Sequence, residues 1–115
     1  MKIAALTGSL ALMAGPQAQA HAHLVSATPA DKAAVSSPRQ ISLRFNEKLE
    51  PKFSGLKVTD TRGTALKLTT TVAKDGLTLV GSPARPLARG AYKVTWHVVA
   101  SDAHRMEGTF SFTVK

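Results

Sequence analysis

Apolar and polar residues alternate with a period of two along most of the chain after residue 40. Ile41, Leu43 and Phe45 alternate with Ser42 and Arg44, the pattern of a strand buried on one face. Leu56 and Val58 begin another such run, and Asp60-Thr61-Arg62-Gly63 closes it with turn-forming residues. Leu66, Leu68, Thr70 and Val72 alternate up to Lys74-Asp75-Gly76, a hairpin signal, and Leu77 and Leu79 follow. Pro83 and Pro86 mark a loop, and Gly90 restarts the chain. Tyr92, Val94, Trp96 and Val98 share one face of the next predicted strand; Phe110, Phe112 and Val114 share one face of the last. Leu24-Val25-Ser26 is a short strand start broken by Thr28-Pro29, and Ala30 to Pro38 reads as a loop. No helical period appears after residue 20. About seven short strands separated by turns predict an all-β fold, a Greek-key antiparallel β-sandwich or barrel of the Ig-like or cupredoxin-like kind.

The first 20 residues read differently. Met1-Lys2 is a minimal positive region, Ile3 to Ala14 is apolar, and Ala18-Gln19-Ala20 has the small-x-small form of a cleavage site. The apolar run falls short of the ~20 residues that cross a bilayer. Residues 1–20 are therefore expected to be a secretory signal peptide and residues 21–115 one exported domain. Ala20-His21-Ala22 also fits the cleavage form, so a cut after Ala22 stays open.

Composition narrows the function classes. The formal net charge is +8, which suits an acidic partner, a membrane surface or nucleic acid. The basic residues are scattered without a run, and the chain has one Trp, one Tyr and four Phe. A solvated basic surface is the better reading, and no nucleic-acid partner is expected. The chain has no cysteine, so neither a disulfide nor a thiolate ligand is available.

Candidate chemistry lies at both ends of the expected domain. Ala100-Ser101-Asp102-Ala103-His104 joins the last two strands. In extended backbone Asp102 and His104, two apart, would point to one side. The bland alternative is a polar turn. Cleavage after Ala20 would free the α-amine of His21, which can bind metal once deprotonated and close a chelate ring with its own imidazole. His21, Asp102 and His104 then offer three nitrogens and one oxygen. In a plane such a set suits Cu(II), with tetrahedral Zn(II) second. The N-terminus would have to dock beside residues 100–104, as first and last strands often neighbour each other.

Three blocks, His21 to Ala30, Arg44 to Leu49 with Phe53-Ser54-Gly55, and Gly90 to His104, resemble the CopC/PcoC family of periplasmic copper-binding proteins. The resemblance implies a small β-sandwich linked to copper resistance or import. It implies His21, Asp102 and His104 as ligands of one Cu(II) per chain, no catalysis, a monomer, and an inner-membrane partner of the CopD type that receives copper. Glu47 matches a family carboxylate near that site, expected to fix a ligand or the amine; its alternative is a surface salt bridge. Well-known members carry a Met-rich loop that binds Cu(I). Here residues 59–72 hold neither Met nor His, so no Cu(I) site is expected, and Met106 reads as core filler. Those members also have Pro-Lys where this chain has Ala22-His23. A free amine with His23 at the third position is itself a Cu(II) chelator, using the two intervening amides, which Ala22 leaves available. The pre-organised folded site is preferred to it. His97 is expected to be exposed, away from the Tyr92/Trp96 face.

Two other classes remain. A copper-dependent oxidative enzyme with an N-terminal histidine brace would need the position that Asp102 fills left open for oxygen. A metal-free Ig-like interaction module would bind no copper.

Overall fold

The computed structural model describes residues 21–115; the expected signal peptide lies outside the described residues. Eight strands form: β1 (Leu24–Thr28), β2 (Ala34–Val35), β3 (Ile41–Phe45), β4 (Gly55–Thr59), β5 (Leu68–Val72), β6 (Thr78–Pro83), β7 (Gly90–Val99) and β8 (Arg105–Val114). They build two four-stranded sheets, ordered β1-β3-β6-β5 and β2-β8-β7-β4. The expected sandwich is the observed one. Its core is made by the predicted alternation: Ile41, Leu43, Phe45 and Leu79 from one sheet face Val58, Tyr92, Val94, Trp96, Val98, Phe110, Phe112 and Val114 from the other. Burying a large apolar side chain of this kind is worth about 1.5–3 kcal/mol.

Two local devices shape that core. Trp96 packs edge-on against Phe45, ring centroids 5.0 Å apart, and lies flat over Gly108, where a Cβ would overlap its indole. Tyr92 stacks on Phe112 at 5.6 Å and donates its hydroxyl to the Ala88 carbonyl at 2.6 Å, so the buried ring keeps its polar end satisfied.

The structure departs from the pattern reading in three places. Ala30 to Pro38, expected as a loop, contains β2, which pairs in parallel with β8, so that sheet is mixed rather than purely antiparallel. Proline does not end β6 early: Pro83 is its last residue and pairs with Leu68. Thr70 was expected to share an inward face, but only Leu68 and Val72 of β5 are partly buried, because β5 is the edge of its sheet. The hairpin signal at Lys74-Asp75-Gly76 holds. Asp75 accepts the Leu77 and Thr78 N–H groups and the Thr78 hydroxyl, and Gly76 takes the positive φ of 72° that the turn requires.

Candidate metal centre

The β7–β8 hairpin is the longest pairing among the described residues, running from Gly90↔Val114 to Val99↔Arg105. Its connection is Ala100 to His104. The Ala103 N–H returns to the Ala100 carbonyl at 2.9 Å, and Ala103 adopts φ 63°, the left-handed residue that often follows a tight turn in short hairpin loops. Asp102 and His104 therefore converge through a turn, not through the extended backbone expected for residues two apart. Asp102 Oδ1 accepts the His104 N–H at 3.1 Å, which fixes the carboxylate under the loop. The loop base is held from the side as well. Leu49 bridges to Ala100, the Glu50 N–H donates to the Val99 carbonyl at 2.8 Å, and the Val99 N–H donates to Ser54 Oγ at 3.2 Å.

His21 arrives from the opposite sheet. β1 is an edge strand paired with β3, and β8 belongs to the other sheet, so the ends of the domain meet across the sandwich and not as strand neighbours. Ala22, 1% exposed, belongs to the core cluster and seats the residue before it. His21 Nδ1 then lies 3.2 Å from His104 Nδ1 and 3.3 Å from Asp102 Oδ2, while His104 Nδ1 is 3.4 Å from the same oxygen. Of the three expected ligands all are brought together, and they are the one cluster of three or more potential metal ligands among the described residues.

Donors this close can share one ion. With bonds of about 2.0–2.1 Å, a pair 3.3 Å apart subtends about 107°, the angle of a tetrahedral face. A planar set would need one pair widened to about 4 Å, the trans separation at that bond length. His104 is the side chain free to make that movement: it is 66% exposed, against 16% for Asp102. Asp102 is kept anionic. Its partial burial pushes the carboxyl pKa up, but the His104 N–H and the charges of the His104 and His21 imidazoles outweigh this and hold it below the usual 3.8.

The remaining sequence candidates are not part of this cluster. His23 is exposed, and its backbone N–H donates to Asn46 Oδ1 at 2.6 Å. Glu47 is half-buried and makes no hydrogen bond or ion pair with the three clustered side chains among the described residues. His97 is half-buried, not exposed as expected. It lies beside Gly55 across the strand pair, and a Cβ at that glycine would stand 3.1 Å from the imidazole. Met106 packs against the core, as expected. Asn46 and Ser54 were missed. Neither carries a titratable group or a metal-ligand motif, and their roles depend on backbone groups that only the fold brings near.

Comparison with known proteins follows the same lines. Residues 24–115 match the family model described as CopC domain. The chain is 40% identical over 112 residues to copper resistance protein C of Xanthomonas campestris pv. juglandis, covering 91% of this chain and 88% of the relative. The crystal structure of PcoC, a methionine-rich copper resistance protein from Escherichia coli, superposes with a TM-score of 0.78 at 38% identity, covering 84% of this chain and all of that one. The copper transport protein CutJ of Bacillus subtilis matches 83% of this chain at 28% identity, within only 18% of its own length. With the same sandwich and a match to the domain model over nearly the whole described region, the chain belongs to the CopC family.

Proposed function

We propose that the chain is exported to the periplasm, cleaved after Ala20, and binds one Cu(II) per molecule as a non-catalytic carrier or buffer in copper resistance or homeostasis. The observation that carries this reading is the convergence of His21 Nδ1 on His104 Nδ1 and Asp102 Oδ2 at 3.2 and 3.3 Å from opposite ends of the domain. Nδ1 is the imidazole nitrogen that closes a six-membered chelate ring with the α-amine of the same residue, so the ring faces as the chelate requires. The amine, two imidazoles and a carboxylate make a hard nitrogen and oxygen set. Cu(II) leads the divalent affinity order on such a set, and the exposed His104 can widen the triangle toward a plane. Glu47 is proposed to fix the amine or a ligand from outside the set.

The relatives named for copper resistance support the role, as does the longer relative named for copper transport. That a copper transport protein contains a stretch like this chain supports a membrane copper transporter of the CopD type as recipient. PcoC is named as methionine-rich, whereas this sequence has three Met and Met106 packs on the core. No thioether cage for Cu(I) is proposed, and the protein acts as a monomer.

The test combines intact mass and titration of the exported protein. The expected results are a mass that begins at His21, one equivalent of Cu(II), weaker Zn(II), and no tight equivalent in competition with a Cu(I) chelator. A mass that begins at His23 removes a ligand residue and would falsify the proposed set.

A further inference from the structure

The N-terminal end of the β1–β3 ladder is irregular. Pairing begins at Leu24↔Phe45, and the register shifts between Leu24 and Ser26, leaving Val25 as the extra residue. Val25 is 61% exposed, as expected for a bulge on an edge strand. Residues 21–23 precede the strand and have no ladder of their own. Asn46 holds them instead. Its side-chain Oδ1 accepts the His23 N–H at 2.6 Å, and its own N–H donates to the His23 carbonyl at 3.2 Å. Asn46 is firmly based: Phe45 before it is 1% exposed, and the Phe45 N–H donates to the Leu77 carbonyl at 2.8 Å.

We propose that Asn46 is the positioning residue of the copper site: it clamps the His23 backbone, keeps His21 docked at Asp102 and His104, and denies copper the N-terminal chelate. The proposal rests on the folded site described above. Two copper arrangements share the His21 amine and compete for it. The N-terminal chelate releases the amide protons of Ala22 and His23 to solvent and turns the two ionised nitrogens onto the metal, together with the His23 imidazole. In the fold the His23 nitrogen is committed to Asn46, and Ala22 is 1% exposed in the core. The chelate therefore forms only when residues 21–23 peel from the domain, and the Asn46 side chain opposes that step with a hydrogen bond the ladder does not supply.

The test uses the exported chain beginning at His21. Asn46 is exposed, so its substitution leaves the core intact. Asn46→Ala removes the acceptor, and Asn46→Asp keeps one. In Asn46→Ala, copper affinity of the folded site should fall about 3- to 10-fold, the equilibrium worth of one hydrogen bond. Its electron paramagnetic resonance spectrum should gain a four-nitrogen component beside the three-nitrogen, one-oxygen form. His23→Ala in the same background should remove that component, and Asn46→Asp should restore the wild-type spectrum. Hydrogen exchange gives a copper-free readout: the His23 amide should lose protection in Asn46→Ala and keep it in Asn46→Asp. If Asn46→Ala keeps wild-type affinity, spectrum and His23 protection while His104→Ala loses copper, the clamp is wrong and the folded site stands. If the wild-type protein already shows a four-nitrogen spectrum that depends on His23, the folded site itself is wrong.

Discussion

Replacing His104 by alanine separates copper affinity from fold stability. The side chain is 66% exposed, and its contacts among the described residues are with His21 and Asp102. An exposed substitution of this kind moves metal-free stability by less than about 0.5 kcal/mol. The effect on copper is expected to be larger, because the proposed set loses an imidazole outright; losing even a supporting partner of a ligand costs about 10- to 100-fold in affinity. Free copper at 1,000 times the wild-type dissociation constant stabilises the fold by about 4.1 kcal/mol, and a site 100-fold weaker gains only about 1.4 kcal/mol at the same concentration. The difference lowers the copper-loaded Tm by roughly 10–20 °C for a domain of this size. Thermal unfolding with and without copper, followed by circular dichroism, reads both numbers from one sample. Asp102→Ala should behave differently. It frees the His104 N–H that now donates to Asp102 Oδ1, so the metal-free protein softens, while water can replace the lost oxygen ligand and copper stabilisation shrinks less. A His104→Ala protein whose copper-induced Tm rise equals that of the wild type would show that His104 does not hold the metal.

Two predictions concern the scaffold. Gly108→Ala forces Trp96 off the strand against which it lies, and overpacking of this kind costs about 1–3 kcal/mol; tryptophan fluorescence should shift and the metal-free Tm fall by about 4–20 °C, and an unchanged Tm would show that the indole relaxes freely. Asp75→Ala removes a carboxylate whose pKa is lowered by the Leu77 N–H first and then by the Thr78 hydroxyl, the Thr78 N–H and the Arg44 charge. A lowered folded pKa contributes stability that is fully present above the ordinary carboxylate value and is lost as pH falls through the folded one. The Tm gap between wild type and Asp75→Ala should therefore be widest near pH 6 and close below pH ~4; a gap that grows on acidification contradicts it.

The alternation of β3, β7 and β8 was legible because both inner faces are continuous: Tyr92, Val94, Trp96 and Val98 are all buried, as are Phe110, Phe112 and Val114. β2 was not. It is two residues long, and backbone bonds to the far end of the chain, such as the Thr113 N–H to the Ala33 carbonyl and the Lys115 N–H to the Val35 carbonyl, hold it in place without any side-chain pattern. Period two also misled at β5, where the edge position leaves Thr70 in solvent. The Asp102/His104 pairing was legible as residue types at a short spacing, but the extended geometry behind it was not what forms. Ala103 enters the left-handed region because the hairpin must turn there, and the turn brings the two side chains together. His21 could be placed only by joining the chemistry of a free amine to a family resemblance, since nothing local ties it to residue 104. Asn46 was invisible because its partner is the backbone amide of His23, which lies ahead of the strand, and such a contact leaves no mark in hydropathy.

The proposed site holds one Cu(II) between His21, Asp102 and His104 in the folded domain. A crystal structure of the copper-loaded exported chain, with anomalous differences collected at the copper edge, tests it most directly. A single anomalous peak is expected within about 2.0–2.2 Å of the His21 amine and Nδ1, one Asp102 oxygen and a His104 ring nitrogen, with the His23 amide still bonded to Asn46. A peak held by the His23 imidazole and the backbone nitrogens of residues 22 and 23, with His104 free in solvent, would contradict it.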